Sequence, residues 1–481
     1  MNLFKFKNTY NQLPSSFFSQ AIPEKFPNGK LLRVNEDLFT ELSNEKITSE
    51  DKEKLELIMN GQSQSEDLAN IAMAYSGHQF GHFSPVLGDG RAYLVGEISD
   101  FEKKKFDLHL KGSGRTIFSR GGDGKSPLGP VVREYIISEA MHSLGIPTTR
   151  SLAIFATDQD VQREKVLKGG VLARTAKSHI RIGTFEFFAS QEDLSSLQTL
   201  VDYTIDRHYP EILKQQDHNQ KIIMLIESVA RAQASMVANW MRVGFIHGVM
   251  NTDNMTITGE TIDYGPCAFM DYYEQNKVYS SIDRHGRYAY NNQIKIAVWN
   301  LYRFISCLIP LIKADSEEGQ LEYLQENTNH LEAIYRAENL KQMAKKFGIE
   351  KPVAMDEILI DDFLSYLESE SLDFTNSFTL LRMNPKELKQ TQKLDAFLKQ
   401  WYKRLEGISN FKEVMKNNNP SIIPRNHHVE KAISNCYEGD FSFFDQLNLN
   451  LTTPYQDDKI EDDFTKPPEE DQVVKNTFCG T

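Results

Sequence analysis

The sequence predicts an α+β fold of two unequal parts, a small sheet-rich lobe followed by a larger, mostly helical lobe with extensions. Three observations predict it. Glycines and alternating apolar runs crowd into residues 71–200, whereas residues 201–450 read mostly as helix, with repeated amphipathic patterns and few glycines from 285 to 450. One prominent helix, "PVVREYIISEAMHSLG", interrupts the strands of the first part. Finally, four polar residues fall in the order of a protein kinase: a strand Lys, a helix Glu, a loop Asn, then an Asp ahead of Gly.

Taken in order, residues 1–70 read as an irregular N-terminal extension, turning helical through "LANIAMAYSGHQFG". "GDGRAYLVGEI" (88–98) reads as a tight turn feeding a strand. In "FDLHLKGSG" (106–114), Leu108 and Leu110 alternate with Asp107 and His109, the period of a second strand. A basic, glycine-rich loop, "RTIFSRGGDGKSPLGP", follows. The helix from 130 to 145 has Pro130 at its first position and Gly145 past its end. "TRSLAIF" and "GGVLART" read as further strands. In the second part, Ile222, Ile226, Val229, Met236 and Trp240 recur near the helical period, and the helix stops at Gly244. Residues 451–481 form an acidic, Pro-containing tail that reads as extended on the surface and ends in "FCGT". There is no internal repeat.

A chain of 481 residues holds two to four domains at roughly 100–200 residues each. It can bury a core without disulfide or metal staples. The net charge of −13 argues against a nucleic-acid partner. Cys267, Cys307, Cys436 and Cys479 are too scattered for a disulfide framework or a zinc site, which suggests a reducing compartment. The start, "MNLFKFKNTYNQLPSS", lacks the apolar core of a secretory signal and the arginines of an import sequence. "IAVWNLYRFISCLIPLIK" (296–313) carries Asn300 and Arg303 internally, so it reads as a buried helix pair and not a membrane span. The expectation is a cytoplasmic protein with no membrane partner.

The chemistry concentrates in "FIHGVMNTDNM", followed by "TIDYG". His247 and Asn254 match the His and Asn of the kinase catalytic loop, but Val249 stands where the kinase base would be, and valine cannot accept a proton. Lys111 on its strand would hold phosphate, and Glu134 on the following helix would hold Lys111 by an ion pair. Glu139 competes for that role. Five residues on a helix are about 500° of rotation, so the two carboxylates point some 140° apart and only one can face Lys111. Glu134, nearer the helix start and the glycine-rich loop, is the choice. Asn254 and Asp263 offer oxygen ligands to Mg²⁺ or Mn²⁺, which would draw charge off a reacting phosphoryl group. Asp253, next to the metal Asn, either takes the proton that Val249 cannot or caps a turn.

Arg91, Arg115, Arg120, Lys125, Arg174 and Arg181 give more cations than a kinase needs over its phosphates. They suggest extra negative charge to clamp, or a nucleotide held in an unusual pose. Arg115 and Arg120 read equally well as surface ion-pair residues. Gly88, Gly90 and Gly124, with Asp123, would let backbone approach the nucleotide.

The segments "AYSGHQFGHFSPVLGDGRAYLVGEI", "LKGSGRTIFSRGGDGKSPLGPVVREYIISEAMHSLGIPTTRSLAI", "HIRIGTFEFF", "FIHGVMNTDNM", "IDYGPCAFMD" and "PRNHHVEKAI", with a near-terminal Cys, resemble the selenoprotein O family from about residue 70 to the end. The resemblance implies a pseudokinase-like fold with protein adenylyltransferase activity. ATP would lie inverted relative to a kinase, with its α-phosphate facing the acceptor, and AMP would go to Ser, Thr or Tyr hydroxyls of proteins, the chain itself included. It further implies that Lys111, Arg174 and Arg181 contact phosphates. Gly88, Gly90, Arg91, Asp123 and Gly124 would line the nucleotide site, Asp253 would be the proton acceptor, and Asn254 and Asp263 would hold the metal. The family often ends in a selenocysteine or cysteine, which Cys479 matches, and members can link it to a cysteine beyond the D-F-G-like segment. The corresponding stretch, "DYYEQNKVYSSIDRHG", has no Cys; Cys267 is the nearest substitute, or simply a small buried residue. Two other readings stand beside AMP transfer. One is UMP transfer with Mn²⁺, since phosphate contacts are blind to the base. The other is a nucleotide-binding scaffold without turnover, motivated by Val249.

Overall fold

An antiparallel sheet organises the chain up to Ala176 in the computed structural model, which describes residues 3–100, 102–457 and 462–478. Its strands are β1 (Phe18–Gln20), β2 (Lys30–Val34), β3 (Ile71–Met73), β4 (Ala92–Ser99), β5 (Lys105–Lys111), β6 (Arg150–Gln162) and β7 (Val166–Ala176). They lie in the order β1-β3-β4-β5-β7-β6-β2, and a short strand, Ser126–Pro127, pairs with β7 beside that path. In β5 the expected alternation holds. Leu108 and Leu110 join Tyr93, Val95, Val171 and Ala173 in one apolar core, so Asp107, His109 and Lys111 share the other face. Register then places Arg174 of β7 directly across from His109.

Two expectations for the N-terminal part fail. The first seventy residues are not irregular: they supply β1 and β2 to the sheet and two helices, Glu36–Ser43 and Ser49–Met59. "LANIAMAYSGHQFG" is strand at Ile71–Met73 and Gly77–Gln79, not helix. Ile71, Ala72 and Met73 are all buried, and a short, wholly apolar run carries no period to separate strand from helix.

Helix α1 (Leu128–Ser143) starts two residues before Pro130, with Pro127 at the N-cap. It ends as expected, with Gly145 at φ 74°. It is buried nearly all round, packed between β6 and β7 on one side and the helix Asn426–Tyr437 on the other. Helix α2 (His218–Val243) is capped by Asp217, which accepts from the Gln220 N–H at 2.8 Å, and it stops at Gly244 in the left-handed conformation. Helix α3 (Gln293–Leu308) is one helix and not a pair; Pro310 ends it in a 3-10 turn at Ile309–Leu311. The stretch Tyr290–Leu311 has the length and hydropathy of a membrane span, but half of it is buried inside the protein. Ile296, Leu301, Phe304 and Leu308 belong to the main core. The acidic tail is more structured than expected. Phe464 is buried within a turn of helix, Asp462–Thr465, and Thr477 is buried and bridges Ser280.

Candidate active site

Lys111 is the last residue of β5, and α1 brings Glu134 beneath it. The Lys111 Nζ donates to Glu134 Oε2 at 2.7 Å and to Asp263 Oδ1 at 2.6 Å. Arg174 Nη1 reaches the same two carboxylates, at 3.0 Å and 2.6 Å. Arg181 Nη1 reaches Asp263 Oδ2 at 3.3 Å and the Asp253 carbonyl at 3.0 Å. Each of these cations is buried, and buried charge persists only when paired. Three cations face two carboxylates, so the cluster keeps a surplus of positive charge. Burial pushes the Asp263 carboxyl up, but Lys111, Arg174 and Arg181 outweigh it and hold the group well below the usual range. Glu139, on another side of α1, is taken by Arg150 at 2.8 Å and by the Ser151 N–H at 2.8 Å; the choice of Glu134 as the Lys111 partner matches this geometry.

Asp263 has φ 61°, in the left-handed region, and its carbonyl accepts the Gly265 N–H at 2.8 Å. Asp tolerates that region better than most residues, and such strain concentrates at functional sites. The loop before it is braced by His247, whose Nε2–H donates to the Ile262 carbonyl at 2.9 Å while Nδ1 accepts from Val249 N–H at 3.4 Å. Asp253 sits in the 3-10 turn Thr252–Asn254. Among the described residues its Oδ1 is buried without a hydrogen-bond partner, and its Oδ2 receives only a long bond, 3.4 Å, from Gln79. Burial, partly offset by Arg181, pushes its pKa up to about 7. Asn254 donates its amide to the Val249 carbonyl at 2.9 Å, which leaves its side-chain oxygen uncommitted among the described residues.

One cavity of about 690 Å³ collects these groups. Lys111, Arg174, Arg181, Asp253, Asn254 and Asp263 line one end, with Val249 beside them. Gly88, Gly90, Arg91, Asp123 and Gly124 line the rest, with Arg115, Arg120 and Lys125. Arg115 and Arg120 are exposed there and have no ion-pair partner among the described residues. Glycine at 88 and 124 answers to loop packing: a Cβ on Gly88 would lie 2.2 Å from the Phe118 ring, and one on Gly124 would lie 2.2 Å from the Gly114 carbonyl oxygen. Both also have positive φ. Asp123 anchors its loop by a two-pronged pair with Arg163, at 2.8 and 3.1 Å, and that pairing holds its carboxyl low.

The structure adds residues that sequence reasoning passed over. Arg174 Nε donates to His109 Nδ1 at 3.3 Å, and His109 Nε2–H then donates to Asp89 Oδ2 at 3.1 Å. Burial lowers the His109 pKa, favouring the neutral ring this chain of bonds requires. The signal was present: His109 precedes Lys111 by two on the same strand face, and Asp89 stands between Gly88 and Gly90. Thr252 donates to Glu186 at 2.5 Å and accepts from the His78 N–H at 2.7 Å, pinning the Asp253 turn. Cys267 is buried; Cys479 lies outside the described residues. Thr477 donates its hydroxyl to the Pro266 carbonyl at 2.6 Å, which docks the tail beside Cys267.

Among the described residues no three His, Cys, Asp or Glu side chains gather as a metal site. The donors that fit a hard divalent cation are the uncommitted Asn254 oxygen and the Asp263 carboxylate, whose side chain is 21% exposed.

A sequence profile of the family described as "Protein adenylyltransferase SelO" matches residues 1–452. A "Protein nucleotidyltransferase YdiU" of Clostridium perfringens (strain ATCC 13124) is 46% identical over 487 aligned positions, covering 99% of this chain and 98% of that protein. Proteins of the same name from Clostridium botulinum (strain Hall) and Bacillus cereus (strain AH187) are 44% and 45% identical, and each covers at least 97% of both chains.

Proposed function

This chain belongs to the protein adenylyltransferase SelO family, and we propose that it moves AMP from ATP onto Ser, Thr or Tyr hydroxyls of proteins, itself among them. It is a nucleotidyltransferase. The observation that carries the finer reading is the convergence of buried Lys111, Arg174 and Arg181 on Asp263 beside an Asp253 carboxylate whose Oδ1 has no hydrogen-bond partner among the described residues. A floor of buried guanidinium groups suits a polyphosphate better than an adenine ring. The triphosphate therefore enters first and the nucleotide lies back to front relative to a kinase, with its α-phosphorus near Asp253. Residues 71–200 then act as the small lobe of a kinase-like fold and 201–450 as the large one, flanked by the extension 1–70 and the tail 451–481. The strand Lys paired with a helix Glu supports that arrangement.

In the reaction, the acceptor oxygen forms a bond to the α-phosphorus as the bond to the bridging oxygen breaks. Pyrophosphate leaves, and the hydroxyl proton passes to Asp253. Lys111, Arg174 and Arg181 hold the departing phosphates. Glu134 keeps Lys111 and Arg174 in place. Gly88, Gly90, Arg91, Asp123 and Gly124 line the remainder of the nucleotide. Asn254 and Asp263 would hold Mg²⁺ or Mn²⁺, which supplies Lewis-acid neutralisation of phosphate charge when bound.

Paired labelling tests this reading. ATP labelled at the α-phosphate is expected to mark protein in a lysate, whereas γ-labelled ATP leaves it unmarked. Label from γ alone would identify a kinase; binding without either label would identify a scaffold. The base is read separately, by competing UTP against ATP with Mg²⁺ and with Mn²⁺.

His109 gives a second test. His109→Phe removes the acceptor that orients Arg174 and strands a buried Arg N–H, at about 1–3 kcal/mol. Transfer is expected to fall about tenfold or more, and His109→Gln, which can still accept from Arg174, is expected to restore part of it. Equal loss in both variants, with equal loss of thermal stability, would assign His109 to folding alone.

A further inference from the structure

Beside the nucleotide cavity lies a second one, of about 580 Å³, and Phe80 and Ile282 belong to the walls of both. Its lining is cationic: Arg284, Arg287 and Lys295, with the imidazoles of His82 and His285. The one carboxylate in the wall, Asp283, is buried, and its two oxygens accept the backbone N–H groups of Arg287 and Tyr288 at 2.9 and 2.8 Å. It makes no ion pair with the basic side chains among the described residues, and one carboxylate against three Arg and Lys side chains leaves the wall net positive. None of the five basic side chains has an ion-pair partner among the described residues. The Arg287 guanidinium rests 4.7 Å over the Trp299 ring, and its Nε is buried without a hydrogen bond among the described residues. In a chain that carries 67 acidic against 54 basic residues, this unbalanced concentration of positive charge stands out against the average surface.

Its position gives it a use. Gln79, next to Phe80, donates to Asp253, and the Phe80 N–H donates to Asn251 at 3.0 Å, so the wall between the two cavities is tied to the turn that carries Asp253. Ile282, 59% exposed, forms an apolar lip between them. Phe80 and Ile282 are thus the wall shared by the second cavity and the cavity that Asp253 lines.

We infer that this groove docks the acceptor protein, and that it selects hydroxyls flanked by Asp and Glu. The inference rests on the transfer reading above for the identity of the occupant. Electrostatic complementarity of this kind sets partner choice and association rate more than it sets maximal affinity. Two or three partly exposed ion pairs correspond to a preference of about five- to tenfold, weakening as salt rises.

The test uses the whole chain and two peptides, a central Tyr flanked by Asp and Glu and its twin flanked by Asn and Gln. Binding is followed by fluorescence anisotropy, and transfer by α-labelled ATP. The acidic peptide is expected to bind about five- to tenfold tighter and to lose that advantage in the double variant Arg284→Glu, Lys295→Glu, which should instead prefer a Lys-flanked peptide. Equal binding of the two peptides, or an acidic preference that survives the charge reversal, overturns the groove. If acidic binding is selective and charge-dependent but no peptide takes α-label, the groove stands as an acidic-segment site and the transfer reading is what fails.

Discussion

Asp263→Asn is expected to lower metal-dependent nucleotidyl transfer by about 10²–10³-fold or more, the scale of losing a preorganised electrostatic contact in a closed site. The carboxylate is the one group that Lys111, Arg174 and Arg181 all touch, and it is one of two oxygen donors proposed for the metal. Removing its charge leaves Lys111 and Arg174 paired with Glu134 only and Arg181 without its ion pair. Two consequences separate this loss from a general failure of the site. Metal-free ATP, itself a polyanion, is expected to bind as well as before or more tightly, because the surplus of positive charge has grown. The folded state is expected to weaken, since breaking a buried pair leaves uncompensated charge at about 3–5 kcal/mol. Calorimetric titration with ATP in the presence of a chelator, and again with Mg²⁺, reads the first; thermal unfolding reads the second. Undiminished transfer in Asp263→Asn would remove Asp263 from the metal site, and a loss of metal-free ATP binding would remove the electrostatic account of the cluster.

Much of this arrangement was legible in the sequence because the chemistry permits few substitutes. A Lys proposed to hold phosphate, a carboxylate beside it and oxygen donors proposed for a cation fall in one order, and the alternation in β5 already set Lys111 on the polar face. The helical rotation that separates Glu134 from Glu139 also matched the structure, where Arg150 occupies Glu139. What could not be read depends on pairing across the chain. The Asp89–His109–Arg174 series needs the register of β5 against β7 and the close approach of the loop ahead of β4. The sheet's use of residues 18–20 and 30–34 escaped notice because strands this short show hardly two periods of alternation. Gly88, Gly90 and Gly124 line the cavity, but the close contacts that demand Gly88 and Gly124 come from Phe118 and Gly114, partners that spacing does not reveal. The tail was read from its charge and prolines, and neither reports the burial of Phe464 or Thr477.

Asp253→Asn is expected to pull activity and stability in opposite directions. Positioned general-base catalysis contributes about 10²–10⁴-fold, so kcat for transfer should fall by that order. Nucleotide affinity should hold, because Arg181 meets Asp253 through its backbone carbonyl and not its side chain. Stability should rise. The wild-type carboxylate is buried, with one oxygen unpartnered and the other held only by a long bond from Gln79, and an unpaired buried charge is a cost to the fold. Burial is also what pushes its pKa up to about 7, close to the value at which a base best serves a reaction run near neutral pH. The same strain on the folded state and the same readiness to accept a proton thus have one origin. A turn-capping Asp would behave otherwise: Asn is an equal cap, so neither activity nor stability would move, and Ala would cost about 1 kcal/mol with transfer intact. Thermal unfolding near pH 8 beside single-turnover transfer of α-label decides between them. A rise of a few degrees with transfer nearly lost assigns the base; unchanged transfer in both variants assigns the cap.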